Sequence, residues 1–240
     1  MDDAEPEVAL SYVDLLYAVP VADLAMRVAD THLQDVKSVG WSDVALAMTA
    51  ITFGWVGHHT AYQQSPRALK ALRKVPQPFF KPRFVQFLIE IAIIGVYFAL
   101  GTRVVLPNDH GIKQPDELWK GACLVAIYCL YLVWDLLDIG IASMEASSAT
   151  RDGRAADALE LRRWALKATR GMTVTVVFLL VFGVFLGIGI SQRHHHVSSG
   201  MAVGFDVAAI ACLYGYRALQ GRVVAHGWKS LISASPLGID

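Results

Sequence analysis

Charged residues are scarce in this sequence. Asp, Glu, Lys and Arg make up 18% of the 240 residues, and hydrophobic residues make up 55%. A soluble domain usually carries about a quarter charged residues. The charges are also segregated, because long apolar segments alternate with short loops that hold most of the lysines and arginines. This pattern excludes an ordinary soluble domain and predicts an integral membrane protein.

Cysteine is rare as well. Cys123, Cys129 and Cys212 all fall inside apolar segments, so they predict packing residues and no disulfide framework. The first ten residues, MDDAEPEVAL, are acidic and lack the basic start and cleavage site of a signal peptide. We therefore expect the first helix to remain in the mature protein.

Six segments are long enough to cross a bilayer as helices, which takes roughly 20 mostly apolar residues. Open strands cannot satisfy their backbone in lipid, and the segments lack strict alternation. The sequence predicts an all-α, polytopic membrane protein with six transmembrane helices, comprising a domain over 1–222 and a short tail over 223–240. The segments are Ala9–Ala29, Trp41–Tyr62, Phe84–Val105, Leu118–Asp138, Met172–Ile190 and Met201–Leu219.

The lysines and arginines of the loops predict the orientation. The second and fourth loops each hold six of them, whereas the first, third and fifth hold one or two. Because basic loops stay in the cytoplasm, we expect a multi-pass cell-membrane protein with both termini cytoplasmic. The fourth loop, RDGRAADALELRRWALKATR, also has the pattern of a cationic amphipathic helix. It suits either anionic lipid headgroups or a plain connecting helix.

Ionisable residues inside the segments are costly and usually face a bundle interior or a water path. For Arg27, Asp135 and Asp138, which lie close to a predicted membrane surface, we expect the side chains to extend to that surface. The residues considered are Asp14, Asp23, Arg27, His58, His59, Glu90, Asp135, Asp138 and Asp206.

Two aspartates of the first helix, Asp14 and Asp23, are nine residues apart and therefore project from opposite sides. We expect the Asp14 side to pack against neighbouring helices and the Asp23 side to line an aqueous pore. The alternative is an interfacial ion pair between Asp23 and Arg27. Ala18, Val21 and Ala25 share the side of Asp14, and Tyr12, Leu16, Val19 and Arg27 share the side of Asp23.

The second helix ends in WVGHHTAY, Trp55–Tyr62. With the predicted orientation, its two histidines lie at the depth of Asp14 on the neighbouring helix. We expect His58 or His59 to form a charge-assisted pair with Asp14 and to hold the first helix in register. The alternative is a position among the headgroups, beside the two aromatic residues.

These residues resemble the lysosomal-type potassium channel family, whose bacterial members have six helices and assemble as tetramers. YVDLLYAVPVADL matches the FSD-type motif of its first helix, with Tyr12 for Phe, Asp14 for Asp and Val13 in place of Ser. WVGHH matches the tryptophan and histidine that end its second helix. The resemblance implies a pore lined by the first helix, with Val19 at the constriction and Asp23 one turn outward. Glu90 is the nearest counterpart of the family's polar residues in the third helix.

The sequence thus predicts a channel for potassium, protons or other cations, formed by a homo-oligomer, with a tetramer favoured. Its partners are monovalent cations and membrane lipids, and we expect neither enzymatic activity nor a cofactor or metal ion. Predicted pore-lining residues are Leu16, Val19, Asp23 and Arg27, and predicted structural or gating residues are Asp14, Trp55, His58, His59 and Glu90.

Other functions stay open. A proton-coupled secondary transporter would use the buried acids Asp23, Glu90 and Asp206, and a non-conducting sensor or scaffold would need none of them. Asp135 and Asp138, with His58 nearby, give a weaker signal for a metal site. The triplet His194–His196 is interpreted as part of a solvated outer loop.

Overall fold

The computed structural model describes residues 6–31, 36–66, 69, 82–104, 116–192 and 198–227. Within these ranges the chain forms six α-helices and no strand, which confirms the all-α prediction. The helices are α1 (Pro6–Ala29), α2 (Ser38–Gln64), α3 (Pro82–Thr102), α4 (Glu117–Arg151), α5 (Ala155–Gln192) and α6 (Ser199–His226). α1 continues without a break through Pro20.

Five of the six described helices, α2 to α6, are long and apolar enough to cross a membrane, as a polytopic protein requires. That α1 also crosses the membrane remains a prediction. Burial also agrees with a bilayer, because several large apolar side chains face outward while a cluster of charged side chains is buried. Leu180, Val184 and Val207 are 69%, 63% and 58% exposed, whereas Lys120 and Asp206 are buried. A soluble core has the reverse arrangement.

α4 and α5 are much longer than the predicted spans. α4 continues to Arg151 instead of ending near Asp138, and α5 begins at Ala155 instead of Met172. At 1.5 Å per residue they measure about 52 and 57 Å, against about 30 Å for the hydrocarbon layer. The predicted fourth loop is therefore a helical hairpin that extends beyond the bilayer. Its turn contains Gly153 at φ +75°, where a side chain would be strained.

The hairpin has a small core of its own. Ala142, Ala146 and Ala149 of α4 are buried with Ala158 and Leu161 of α5. Small side chains let two helices approach closely, so the first turns of α5 pack on α4 and do not form a separate interfacial helix.

The predicted boundary of the C-terminal tail falls inside a helix, because α6 continues to His226, four residues past 222. Several other predictions concern residues outside the described ranges or side chains that the structure does not describe. These are the side chains of Tyr12, Val13 and Tyr62, most bases of the second loop, the triplet His194–His196 and the tail from 228 onward.

Tyrosines from four helices meet in the middle of the bundle. The hydroxyls of Tyr97 on α3 and Tyr131 on α4 are 2.6 Å apart, and Tyr17 of α1 packs its ring against Tyr97. Tyr128 of α4 and Tyr216 of α6 stack edge to face. The buried hydroxyls give the core hydrogen-bonding groups that a purely aliphatic core would lack.

A cluster of buried charges joins the starts of α2, α4 and α6; we call Asp43, Glu117, Lys120 and Asp206 the outer charge cluster. The Lys120 ammonium contacts Asp43 and lies 2.8 Å from the Asp206 carboxylate and 3.8 Å from that of Glu117. Ser42 donates a hydrogen bond of 2.6 Å to Asp206. All four charged side chains are at most 5% exposed.

The asymmetry of this cluster, one lysine against three carboxylates, predicts unequal effects of substitution. Removing Lys120 leaves three buried acids without their counter-charge, and breaking a buried ion pair in this way costs about 3–5 kcal/mol. Removing one acid leaves the lysine with two partners. We expect Lys120→Met to lower the thermal unfolding midpoint in detergent clearly more than Asp206→Asn does.

The matched control is Arg154→Met, because Arg154 also pairs with acids but is 49% exposed at the hairpin turn. Its midpoint should stay close to that of the wild type. Equal losses for Lys120→Met and Arg154→Met would contradict the assignment of Lys120 as the counter-charge of the bundle.

Candidate functional site

Asp14 attaches α1 to α2. Its Oδ1 accepts a hydrogen bond of 2.7 Å from the Trp55 indole N–H, and His59 Nε2 lies 3.5 Å from the same oxygen. Trp55 and His59 are one turn apart on α2, with ring centroids 4.7 Å apart. The predicted contact between Asp14 and a histidine is therefore confirmed for His59, and Trp55 is the closer partner.

His58 lies close to a different acid. Its Nδ1 lies 3.7 Å from Oε1 of Glu90 on α3, and the same oxygen accepts 3.2 Å from the Trp134 indole N–H of α4. Adjacent residues on a helix project about 100° apart, so His58 and His59 face different neighbours. The pair of histidines thus connects α2 to both α1 and α3.

Arg27 fixes the other end of α1. Its guanidinium donates to the carbonyls of Gly101 at 2.6 Å and Val104 at 3.0 Å. Carbonyls at the end of a helix lack partners within the helix and favour a cation. Arg27 therefore binds the end of α3, which differs both from the predicted pore-lining position and from an extension to the membrane surface.

The packed side of α1 differs from the prediction. Tyr17, Pro20 and Leu24 are buried toward α2 and α3, whereas Ala18 and Ala25 are exposed. Burying the Tyr17 ring removes more apolar area from water than burying an alanine, although Leu15 and Met26 stay exposed. The exposed α1 face consists of Leu15, Ala18, Val19, Ala22, Ala25 and Met26.

The predicted pore residues are divided by this arrangement. Val19 lies on the exposed α1 face and is 53% exposed, and Asp23 is partly exposed. Leu16 is partly buried and packs against the core. Of the predicted set, Val19 is therefore the most exposed, and Leu16, Asp23 and Arg27 are all intermediate in exposure.

A large cavity lies between α2, α4, α5 and α6, toward the end of the bundle that carries the hairpin. We call it the inner cavity; its volume is about 570 Å³. A smaller cavity of about 100 Å³ shares several lining residues with it and reaches His58 and Glu90. The polar and aromatic lining of the inner cavity comprises Phe53, Thr60, Gln64, Trp134, Asp135, Asp138, Trp164, Lys167, Arg217 and Gln220.

Asp135 and Asp138 of α4 both face the interior. Asp138 is 1% exposed and accepts from the Trp164 indole at 2.6 Å and from Gln86 at 3.5 Å. Asp135 accepts 3.1 Å from the Thr175 hydroxyl. The expectation that these acids extend to the membrane surface is therefore wrong. Indole, amide and hydroxyl donors satisfy them inside the bundle instead.

Arg217 of α6 occupies the wall between the two cavities. Its guanidinium donates to the Phe53 carbonyl of α2 and, at 3.0 Å, to Gln220. A side chain at Gly57 would overlap this guanidinium, so the glycine of WVGHH leaves room for the arginine. The sequence pattern itself gives no reason for a glycine there.

Sequence reasoning misses Asp43, Lys120 and Arg217, although all three lie within predicted spans. Their position in the sequence was enough to find them, because ionisable groups inside spans usually face the interior. This applies to them as much as to Asp206. Within the described ranges, no group of three or more His, Cys, Asp or Glu side chains could hold a metal ion. The alternative metal site of Asp135, Asp138 and His58 is thus not formed.

The hydrogen bond between Asp14 and Trp55 is the contact to test for the attachment of α1. A hydrogen bond to a charged group contributes about 1.5–3 kcal/mol, and we expect about 1 kcal/mol here because the Asp14 side chain is 42% exposed. In a double-mutant cycle of Asp14→Asn and Trp55→Phe, the unfolding free energies should couple by that amount.

The matched control replaces Trp55→Phe with Trp41→Phe, since Trp41 is a similarly exposed tryptophan of α2. It should show no coupling to Asp14→Asn. A cycle without coupling at Trp55 would remove this bond as the attachment of α1.

Comparison of the chain with known proteins gives no relative. No protein family, curated protein or solved structure matches it. The likeness to lysosomal-type potassium channels thus rests on the residues of the first two helices alone.

Proposed function

We propose that this chain forms an oligomeric cation channel in which the exposed α1 face lines the conduction path. The observation that carries the proposal is the two-sided environment of α1. One side is fixed to the protein, through Asp14 to α2 and through Arg27 to α3. The other side, which includes Leu15, Val19 and Met26, is exposed, and Asp23 beside it is partly exposed.

The chemistry of the exposed side suits a cation path. Val19, 53% exposed, supplies a branched apolar side chain that can narrow an axial opening. Asp23, one turn further along α1, adds a carboxylate that attracts cations and repels anions. Four copies around one axis would repeat both residues as rings, in agreement with the resemblance to tetrameric channels.

The alternative is that the exposed α1 face contacts lipid. Access to water distinguishes a face that lines a pore from one that faces lipid. In a chain whose three native cysteines are replaced by alanine, Val19→Cys should react with a cationic, water-soluble methanethiosulfonate. The reaction should abolish most potassium flux into liposomes, because the added charge sits at the constriction.

The matched control is Val184→Cys on α5, since Val184 is also apolar and 63% exposed. We expect its flux to be unaffected, because it faces lipid. An unmodified Val19→Cys, or equal inhibition at both positions, would remove the exposed α1 face from the pore.

Asp23 gives an independent test in planar bilayers. If its carboxylate attracts cations, Asp23→Asn should lower the unitary cation conductance and the permeability ratio of potassium to chloride. Asp152→Asn is the control, because Asp152 is an exposed acid at the hairpin turn. An unchanged conductance and permeability sequence in Asp23→Asn would show that Asp23 is not in the pore.

A proton-coupled transporter is the second candidate, and the inner cavity favours it. The cavity lies within one chain and contains Asp135, and the smaller cavity beside it reaches Glu90. Such acids can carry protons across a membrane. Unitary currents with a reversal potential set by ion gradients support the channel, whereas slow, substrate-coupled flux supports the transporter. A sensor or scaffold gives neither.

A further inference from the structure

We propose that the inner cavity binds a small organic ammonium ion, with Asp135 as its counter-ion. The site lies inside a single chain and does not depend on the α1 path. The proposal therefore does not depend on whether the protein conducts ions.

The cavity has the size of a ligand site. Its volume of about 570 Å³ lies within the range of roughly 300–1,000 Å³ that is usual for small-molecule sites. Its wall is mainly apolar and aromatic, with a few polar groups, as such sites require. Phe53, Val56 and Val224 line it together with Trp134 and Trp164.

The cavity wall carries two acids, Asp135 and Asp138, and two bases, Lys167 and Arg217, so its preference depends on which of them a ligand can pair with. Arg217 is engaged by the Phe53 carbonyl and by Gln220. Asp138 already accepts from Trp164 and Gln86. Lys167 is exposed, so water screens its charge.

The Asp135 carboxylate can accept further hydrogen bonds. Its Oδ2 accepts from Thr175, and among the described residues no basic side chain pairs with it. An ionised carboxylate can accept about four hydrogen bonds. A ligand ammonium can donate to the remaining positions and supply the missing positive charge.

An organic cation fits better than an inorganic one. Metal cations such as Ca²⁺ require six or more oxygen ligands at short distances, and the described residues offer no group of three carboxylate, histidine or cysteine ligands. An ammonium ion needs one carboxylate and gains from aromatic faces, which Trp134 and Trp164 supply in the cavity wall. Its hydrocarbon part would displace water from the apolar wall.

The predicted orientation gives two sources for such a group. The cavity lies near Gln64, Lys167 and Ala225, at the end of the bundle that is predicted to be cytoplasmic. A soluble amine could enter from the cytoplasm, or the aminoethyl headgroup of phosphatidylethanolamine could enter from the inner leaflet. Both present the same ammonium chemistry to Asp135.

Phenethylamine is the probe, with 2-phenylethanol and phenylacetate as neutral and anionic analogues of similar size. Calorimetric titration uses the full chain in nanodiscs of phosphatidylcholine. We expect saturable binding of phenethylamine at least about tenfold tighter than that of either analogue. Asp135→Asn should weaken it by about tenfold or more, the loss of one charged hydrogen bond.

A second variant tests the cavity itself. Gly221 lines it, and a side chain there would meet no atom within 4 Å, so Gly221→Leu should fill the space and abolish binding. Gly140→Leu is the matched control, because Gly140 also has open space around it but lies outside the cavity. Its affinity should equal that of the wild type.

Nanodiscs that contain phosphatidylethanolamine distinguish the two sources. Weaker probe binding there than in phosphatidylcholine alone assigns the site to the lipid headgroup, and unchanged binding assigns it to a soluble amine. The proposal is overturned if Asp135→Asn or Gly221→Leu binds phenethylamine as tightly as the wild type. Equal binding of phenylacetate would overturn it as well.

Discussion

One lysine, Lys120, faces carboxylates from the starts of three helices, and the arrangement of the bundle depends on this contact. A charge in hydrocarbon is tolerated only with a partner or with water. The acids Asp43 and Asp206 therefore require α2 and α6 to turn these sides toward α4. Once they do so, apolar residues such as Leu180 and Val207 face outward, where lipid is their solvent. The inward charges orient the helices as much as the outward apolar residues do.

Buried polar and charged groups also need partners along the rest of the bundle, and different chemical groups supply them at different depths. At the outer end, three carboxylates share the ammonium of Lys120. In the middle, tyrosine hydroxyls such as those of Tyr97 and Tyr131 form hydrogen bonds without a charge. Toward the hairpin, Arg217 is held by neutral groups, and Asp135 meets a hydroxyl. Charged groups whose hydrogen-bond partners are neutral and open volume therefore occur together toward the hairpin, which is why we place the ligand site there.

The sequence predicts the helical class and the apolar segments well, because composition reports directly on the solvent that a helix faces. It does not predict how far α4 and α5 extend. Hydropathy falls at the end of the hydrocarbon layer, whereas a helix continues as long as its backbone bonds and packing continue. The alanines at 142, 146 and 149 supply that packing. The contact of Asp14 with His59 was within reach because both residues lie at one predicted depth.

Helical periodicity also identifies which residues share a side of α1, but not which side packs. That choice depends on the size of the side chains. Tyr17 and Leu24 fill the space against α2 and α3, which leaves short residues such as Ala22 on the exposed α1 face. Short residues let a second copy of the helix or a column of water approach the backbone closely, whereas an outward tyrosine would block both. The inward position of Tyr17 therefore leaves the side of α1 that carries Val19 open for an axial role.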